Sequence, residues 1–209
     1  MPPPPAGWPA DVAYLSKWVV SDHLKRKHPH IAEHLQADTW ARRTPGPPPP
    51  TLLGTAVKLK RISDKNHPAC GQYGLFACRE IEPHAHVCDY IGVVRDAGEP
   101  ESESSDYALA FDDHGLASDD GEAPRLCVDA QQFGNEGRMV NDFRGVAKET
   151  NVKFGNRLVG SGAAPRLALF AGPRGVKKGQ ECVASYGKGY WSARVSDVAD
   201  MHRRARPQL

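Results

Sequence analysis

From Val57 onward the apolar positions fall at strand spacing. Val57-Lys58-Leu59-Lys60-Arg61-Ile62 alternates apolar and charged residues, the pattern of a half-buried β-strand. Leu75–Ala77, Val87–Val94, Tyr107–Phe111, Leu126–Val128, Leu167–Phe170 and Cys182–Tyr186 are further short β-like runs. Turn chemistry such as Glu82-Pro83-His84 and Lys177-Lys178-Gly179 separates them. Within this region only Gly134–Asn141 reads as a short helix or turn. Many short strands with little helix predict a mainly β domain made of small sheets.

The N-terminal part has another texture. Val12, Leu15, Val19 and Leu24 recur at near-helical spacing, which predicts a helix capped by Asp11 and interrupted at Pro29. A second short helix is expected through Ile31 and Leu35 to Trp40. Proline tracts at 2–5 and 47–50 bracket this segment and favour extended backbone. Trp8, Trp18 and Trp40 in so short a flank predict packing against the domain that follows, or against a partner. The expected organisation is therefore a proline-flanked helical segment over 1–50, one β-rich domain over 51–191, and a basic tail over 192–209.

Composition narrows the functional classes. With 209 residues, 40% of them hydrophobic and 25% charged, the chain has the make-up of a soluble globular protein. Its apolar runs are too short to cross a bilayer, so no membrane partner is expected. Met1-Pro2-Pro3-Pro4-Pro5 has neither the basic start nor the apolar stretch of a secretory signal, which predicts an intracellular protein. Lys25-Arg26-Lys27 and Arg203-Arg204-Ala205-Arg206 are possible nuclear addresses or simply solvated charge. A net charge of +2 argues against nucleic-acid binding through bulk charge. Cys70, Cys78, Cys88, Cys127 and Cys182 form no C-x-x-C pair and match no zinc spacing, so they read as reduced thiols and no metal is expected. The stretch 96–122 is rich in Asp and Glu. It reads either as solvated loops or as an acidic rim that attracts a basic peptide.

Four segments then carry a more specific message. In chain order they are Gln72-Tyr73-Gly74-Leu75-Phe76-Ala77, Asn135-Glu136-Gly137-Arg138-Met139-Val140-Asn141-Asp142, Leu167-Ala168-Leu169-Phe170 and Ser185-Tyr186-Gly187. Together they resemble the SET-domain protein lysine methyltransferases. The resemblance covers about Val57 to Trp191. It implies small curved β-sheets around a knot-like core, in which the segment at Asn141 and the strand leading to Tyr186 thread together. It also implies S-adenosyl-L-methionine as cofactor and a protein substrate with a basic, lysine-containing segment, a histone H3 tail first among them. A nuclear, chromatin-directed role follows from that substrate.

Residue roles carried over from the family are expectations at matching positions. Gln72 and Tyr73 stand in the loop that contacts the cofactor through main chain, with glutamine where the family has its first glycine. Arg138-Met139-Val140-Asn141-Asp142 matches the family's Arg-Phe-Ile-Asn-His, so Arg138, Asn141 and Asp142 are expected at the cofactor, Asp142 replacing the histidine. Tyr186 and Tyr107 match catalytic tyrosines. Tyr90, in Asp89-Tyr90-Ile91-Gly92, and Ala184, two residues before Tyr186, are expected along the lysine channel, and the small Ala184 predicts multiple methylation. Tyr190 and Trp191 are expected to stack on the adenine, since no cysteine follows Cys182 to build the zinc module of some members.

The chemistry suits such a set. Methyl transfer from a sulfonium to an amine needs collinear reactants, excluded water and a neutral amine. Free lysine titrates near about pH 10.4, so its neutral form at pH 7 costs roughly 4–5 kcal/mol unless desolvation helps. Aromatic walls serve both that need and the cationic sulfonium. Competing readings are a SET-like module that binds lysine-bearing peptides without turnover, a methyltransferase for a non-histone protein, and a scaffold working through the N-terminal segment. No G-x-S-x-G elbow, P-loop or H-E-x-x-H is present, and His67, Cys70, His84, His86 and Cys88 suit neither zinc nor a Cys-His pair.

Overall fold

Strand formation follows the alternation closely in the first clear case. Val57–Arg61 (β3) pairs antiparallel with Tyr73–Ala77 (β4) in the register Val57↔Ala77, Leu59↔Leu75 and Arg61↔Tyr73. Val57, Leu75 and Ala77 are thereby buried, while Lys58 and Lys60 face outward and the Lys60 ammonium lies 4.7 Å above the Phe76 ring. The computed structural model describes residues 3–5, 7–36, 56–110, 124–157 and 166–192. The remaining elements, in chain order, are β1 (Ala13–Tyr14), β2 (Val19–Val20), α1 (Asp22–Lys27), α2 (Pro29–Gln36), β5 (His86–Asp89), β6 (Val93–Asp96), α3 (Pro100–Glu103), β7 (Ala108–Ala110), β8 (Leu126–Asp129), β9 (Phe133–Gly134), a 3₁₀ turn (Glu136–Met139), β10 (Asn141–Asp142), β11 (Val152–Arg157), β12 (Arg166–Ala171), β13 (Val183–Ala184) and α4 (Gly187–Ser192).

The chain folds into two compact units. The first is built from the described parts of Met1–Thr51, Cys88–Arg138 and Gly155–Ala168. The second is built from those of Leu52–Val87, Met139–Phe154 and Leu169–Leu209. β5, β11 and β12 belong to a three-stranded sheet of order β11-β12-β5, and within these strands the chain passes from one unit to the other.

In the first unit a four-stranded sheet of order β2-β6-β8-β7 carries the core. Every residue of β8 is buried, as expected of a strand covered on both faces. β2 runs parallel to β6, with Val19 opposite Val93 and Val20 opposite Val94. β1 runs parallel to β9. The apolar positions from Val12 to Leu24 were expected on one helix, and this is corrected. Asp11 caps nothing; the segment makes two two-residue strands, and the helix starts only at Asp22, where Ser21 Oγ accepts from Leu24 N at 3.0 Å. Pairing with distant strands outweighs the local period, which a single sequence does not display. Pro29 does not merely interrupt: it opens α2 at the first helical position, where its missing N–H costs nothing. Ile31, Ala32 and Leu35 fill the inner face of α2, and residues 37–40, where this helix was expected to continue, lie outside the described residues.

The run Val87–Val94, expected as one strand, is two. Between them Asn135 takes over the backbone of 89–91: its Nδ2 donates to Asp89 O at 2.8 Å and its Oδ1 accepts from Ile91 N at 3.1 Å. Trp18 Nε1 adds a bond to Tyr90 O at 2.8 Å. Gly92 follows because a Cβ there would collide with the Asp129 carbonyl. The acidic stretch also gains structure. Pro100–Glu103 is a helix, and Glu99, expected on a solvated loop or rim, is buried: it accepts from Ser21 Oγ at 2.7 Å and from Arg95 at 3.1 Å. Residues 111–123 lie outside the described residues.

In the second unit the expected strand Cys182–Tyr186 shrinks to β13, which runs parallel to β10 in the register Asn141↔Val183 and Asp142↔Ala184. This pairing joins the Asn141 segment to the strand before Tyr186, the two segments expected to meet. The strand Val152–Arg157 and the helix Gly187–Ser192 had no counterpart in the sequence reading. Among the described residues no helix is long and apolar enough to cross a membrane.

Candidate functional site

Short strand β10 presents two adjacent polar side chains, and each gathers distant parts of the second unit. Asp142 is buried. Its carboxylate accepts from Tyr186 N at 2.8 Å, from Trp191 Nε1 at 3.1 Å, and from Arg144 through both N (2.9 Å) and Nη1 (3.0 and 2.9 Å to the two oxygens). With this many donors the carboxylate is the hub of the local hydrogen-bond network. The neighbouring Arg144 guanidinium also lies 4.9 Å from the Phe143 ring and 5.4 Å from the Trp191 ring, so the charge pair sits against aromatic faces.

Asn141, half-buried, points its Nδ2 at Tyr73 O (3.2 Å) and at Glu181 Oε1 (2.8 Å). It thus ties the start of β4 to the residue before the last buried strand. Gly74 belongs to this packing: a Cβ there would lie 2.7 Å from Glu181 Oε1 and 2.9 Å from Phe76 Cε2. The space a Cβ would take at this glycine is filled by the Glu181 carboxylate.

Tyr186 completes the cluster. Its backbone N–H is held by Asp142, and its hydroxyl donates to Val140 O at 2.8 Å. The Tyr190 ring stands edge-on to Tyr186 (centroids 4.8 Å apart) and to Trp191 (5.1 Å), and all three are half-buried. Gly187, with φ of 87°, turns the chain from β13 into the helix that carries Tyr190 and Trp191. Gln72 is exposed and its carbonyl accepts from Ile62 N. Ala184 is fully buried within the β10–β13 pair, its carbonyl accepting from Phe143 N at 2.9 Å.

The other expected residues lie in the first unit, where they contact one another. Tyr90 is buried and its hydroxyl donates to Tyr107 O at 2.8 Å. Arg138 lies 4.1 Å above the Tyr107 ring, while its Nε donates to Ala130 O at 2.7 Å and its Nη2 to Gln131 O at 3.2 Å. The second unit therefore collects Tyr73, Asn141, Asp142, Ala184, Tyr186, Tyr190 and Trp191, and the first collects Tyr90, Tyr107 and Arg138.

The family model described as the SET domain matches residues 72–187, more than half of the chain. The chain is a SET-domain protein. The small β-sheets and the β10–β13 pairing are accordingly the SET fold. A human relative, histone-lysine N-methyltransferase EHMT1, is 27% identical over 127 residues, which are 57% of this SET chain and 8% of that protein; the chain thus spans less than a tenth of the length of the curated relative it matches. Solved structures similar to it include KRYPTONITE in complex with mCHH DNA, an H3(1–15) peptide and SAH, at 24% identity and a TM-score of 0.44 over 63% of this chain and 23% of that one. The Neurospora SET-domain histone lysine methyltransferase DIM-5 gives 21% identity and a TM-score of 0.47 over 64% and 53% of the two chains. An active polycomb repressive complex 2 in the basal state gives 28% and 0.45 over 64% and 15%.

Sequence reading missed Glu181, Arg144 and Asn151, and weighed His67 only for metal or thiol chemistry. Asn151 holds the last strand from both sides, donating to Glu181 O at 2.7 Å and accepting from Val183 N at 2.8 Å. Only Arg144 carried a local signal, an Asp-x-Arg spacing in a turn; the other three act over long sequence separations. Among the described residues no group of three or more His, Cys, Asp or Glu is placed to hold a metal ion.

Proposed function

We propose that this SET-domain chain is an S-adenosylmethionine-dependent protein lysine N-methyltransferase acting on a basic lysine-containing segment, a histone H3 tail first, in the nucleus. The observation that carries this reading is the cluster in the second unit, where Asp142 holds Tyr186, Trp191 and Arg144 together next to Asn141. Its donor set fits the cofactor. Three half-buried aromatic rings suit a sulfonium and an adenine, the Asp142 carboxylate holds two of them in place, and the Asn141 carbonyl Oδ1, its amide nitrogen being engaged, suits an ammonium. Bound S-adenosylmethionine supplies an electrophilic methyl group.

The chain's own residues have the rest of the work. Tyr73, Asn141, Tyr190 and Trp191 hold the cofactor; Gln72, whose main-chain N–H and carbonyl already bond Ala69 and Ile62, is assigned there on the family resemblance alone. The Tyr186 hydroxyl, fixed on Val140 O, orients the lone pair of the substrate amine. The aromatic faces desolvate that amine and favour its neutral form. Tyr107 as second catalytic tyrosine, Tyr90 and Ala184 along the channel, and Arg138 at the cofactor rest on the family resemblance. EHMT1, by its name, acts on histone lysine, which supports the substrate class. Asp142 in place of histidine motivates the alternative of a module that binds peptide without turnover; the number of donors it organises around Tyr186 favours the enzyme.

Labelled methyl transfer from S-adenosylmethionine to core histones and to a cell lysate tests the proposal, with Tyr186→Phe alongside. Label on a protein band that fades in the variant is expected. No label on any band, with cofactor binding measured separately, overturns the enzyme in favour of the binding module.

A further inference from the structure

Glu181 has two carboxylate oxygens and a different partner on each. Oε1 accepts from Asn141 Nδ2 at 2.8 Å, and Oε2 lies 3.0 Å from His67 Nε2. Both His67 and Glu181 keep only 9% of their side-chain surface exposed. The imidazole has a defined tautomer, because Ala69 N donates to its Nδ1 at 3.0 Å. That nitrogen must present a lone pair, so the ring hydrogen sits on Nε2 and is donated to Glu181. Asn141 passes the link on to Tyr73 O at 3.2 Å. The segment carrying His67 is itself tied down, since Cys70 N donates to His67 O, Gln72 N to Ala69 O and Gly71 N to Ile62 O. Gly74 leaves the space that the carboxylate occupies.

We infer that His67 and Glu181 are positioning residues for the cofactor site: a relay His67–Glu181–Asn141–Tyr73 fixes the amide of Asn141 with its nitrogen turned away from the ligand and its Oδ1 turned toward it. An asparagine amide left alone flips easily between its two ends; a buried carboxylate accepts only from the nitrogen end and removes that ambiguity. Glu181 in turn is held at its other oxygen by the His67 ring. This inference rests on the proposed cofactor role of Asn141.

Two substitutions separate the relay from a merely local role of His67. His67→Gln places an amide nitrogen the same number of bonds from Cα as Nε2, keeping the donor to Glu181 and losing the acceptor for Ala69 N. His67→Asn does the reverse: its Oδ1 accepts from the amide two residues on, and it is too short to reach Glu181. Calorimetric binding of S-adenosylhomocysteine to the full chain is the readout, with thermal unfolding recorded for each variant. We expect His67→Asn to raise the Kd at least about fivefold and His67→Gln to stay within about twofold of the unsubstituted protein. In the Glu181→Gln background His67→Asn should add no further loss. An unsubstituted protein that fails to bind S-adenosylhomocysteine overturns the functional reading and the relay with it. Binding by the unsubstituted protein with His67→Asn equally tight, or with His67→Gln the weaker of the two, overturns the relay alone.

Discussion

The two units use their polar side chains differently. In the first, charged groups bind neighbouring backbone or one another and lock the scaffold. Arg95 reaches Glu99 and Asp129, Arg157 grips Asp89 with two bonds of 2.9 and 2.6 Å, and Asn135 replaces a missing strand partner. Both units join segments 40 or more residues apart: Arg157 with Asp89 and Ser21 with Glu99 in the first, and 73 with 141, 141 with 181, and 142 with 186 and 191 in the second. In the second, however, the polar side chains meet beside a cluster of aromatic rings. The polar core of the first unit holds one strand-and-helix assembly in place. That of the second adds side-chain bonds to segments already joined by the β10–β13 pairing and by Cys182 N on Leu75 O. A cluster of the second kind, lined by aromatic rings, is where chemistry is to be sought.

This contrast breaks most sharply at Tyr186. Tyr186→Phe should lower methyl transfer by about 10² or more, while the loss of its bond to Val140 O costs only about 1 kcal/mol of stability; a urea midpoint and an initial rate measured together give both. Next in size is Asp142→Ala, which strands Arg144 and frees Trp191 and Tyr186. It should cost about 2–3 kcal/mol in urea unfolding, less than a fully buried pair because a third of the Arg144 side chain is exposed, and it should also weaken S-adenosylhomocysteine binding. In the first unit, Ser21→Ala removes both the α1 cap and a donor to Glu99. About 1–2 kcal/mol of stability should go, with the affinity for S-adenosylhomocysteine unchanged; an affinity that fell in step would remove the distinction between the units.

The smallest effect concerns Cys182 in the second unit. Burial first, and the Glu181 carboxylate second, push its thiol from the ordinary 9.0 up to about 12. The unfolded chain therefore releases this proton first. The contribution to stability is complete below pH 9.0 and is lost as pH rises through the window to about 12. Unfolding free energies measured across that window should fall, less so in Cys182→Ala, and at pH 9 iodoacetamide should label exposed Cys70 well before Cys182.

The fold was legible where a strand is long enough to show its period. β3 alternates over five residues, and β12 and β8 are apolar runs. Two-residue strands show none: Ala13–Tyr14, Val19–Val20 and Asn141–Asp142 exist only because distant partners accept their backbone, and the first two imitate a helical stripe. β11, Val-Lys-Phe-Gly-Asn-Arg, hides behind a glycine and an asparagine that disfavour strands. Of the candidate site, Asn141, Asp142 and Tyr186 carried a motif, while the contacts of Glu181, His67 and Asn151 left no local signal, because they depend on which side chain each faces and not on their neighbours along the chain. Asp142 shows the converse: a departure from the family's histidine became intelligible once its donors were visible.

The central claim is that the ligand site belongs to the second unit's cluster. Titrating the isotopically labelled full chain with S-adenosylhomocysteine, and following backbone and side-chain amide resonances, tests it most directly. The account predicts shifts at Tyr73, the Asn141 side-chain amide, Tyr186 and the Trp191 indole, with Val20, Glu99 and Val128 unmoved. Shifts centred on those first-unit residues, or none at saturating ligand, would contradict it.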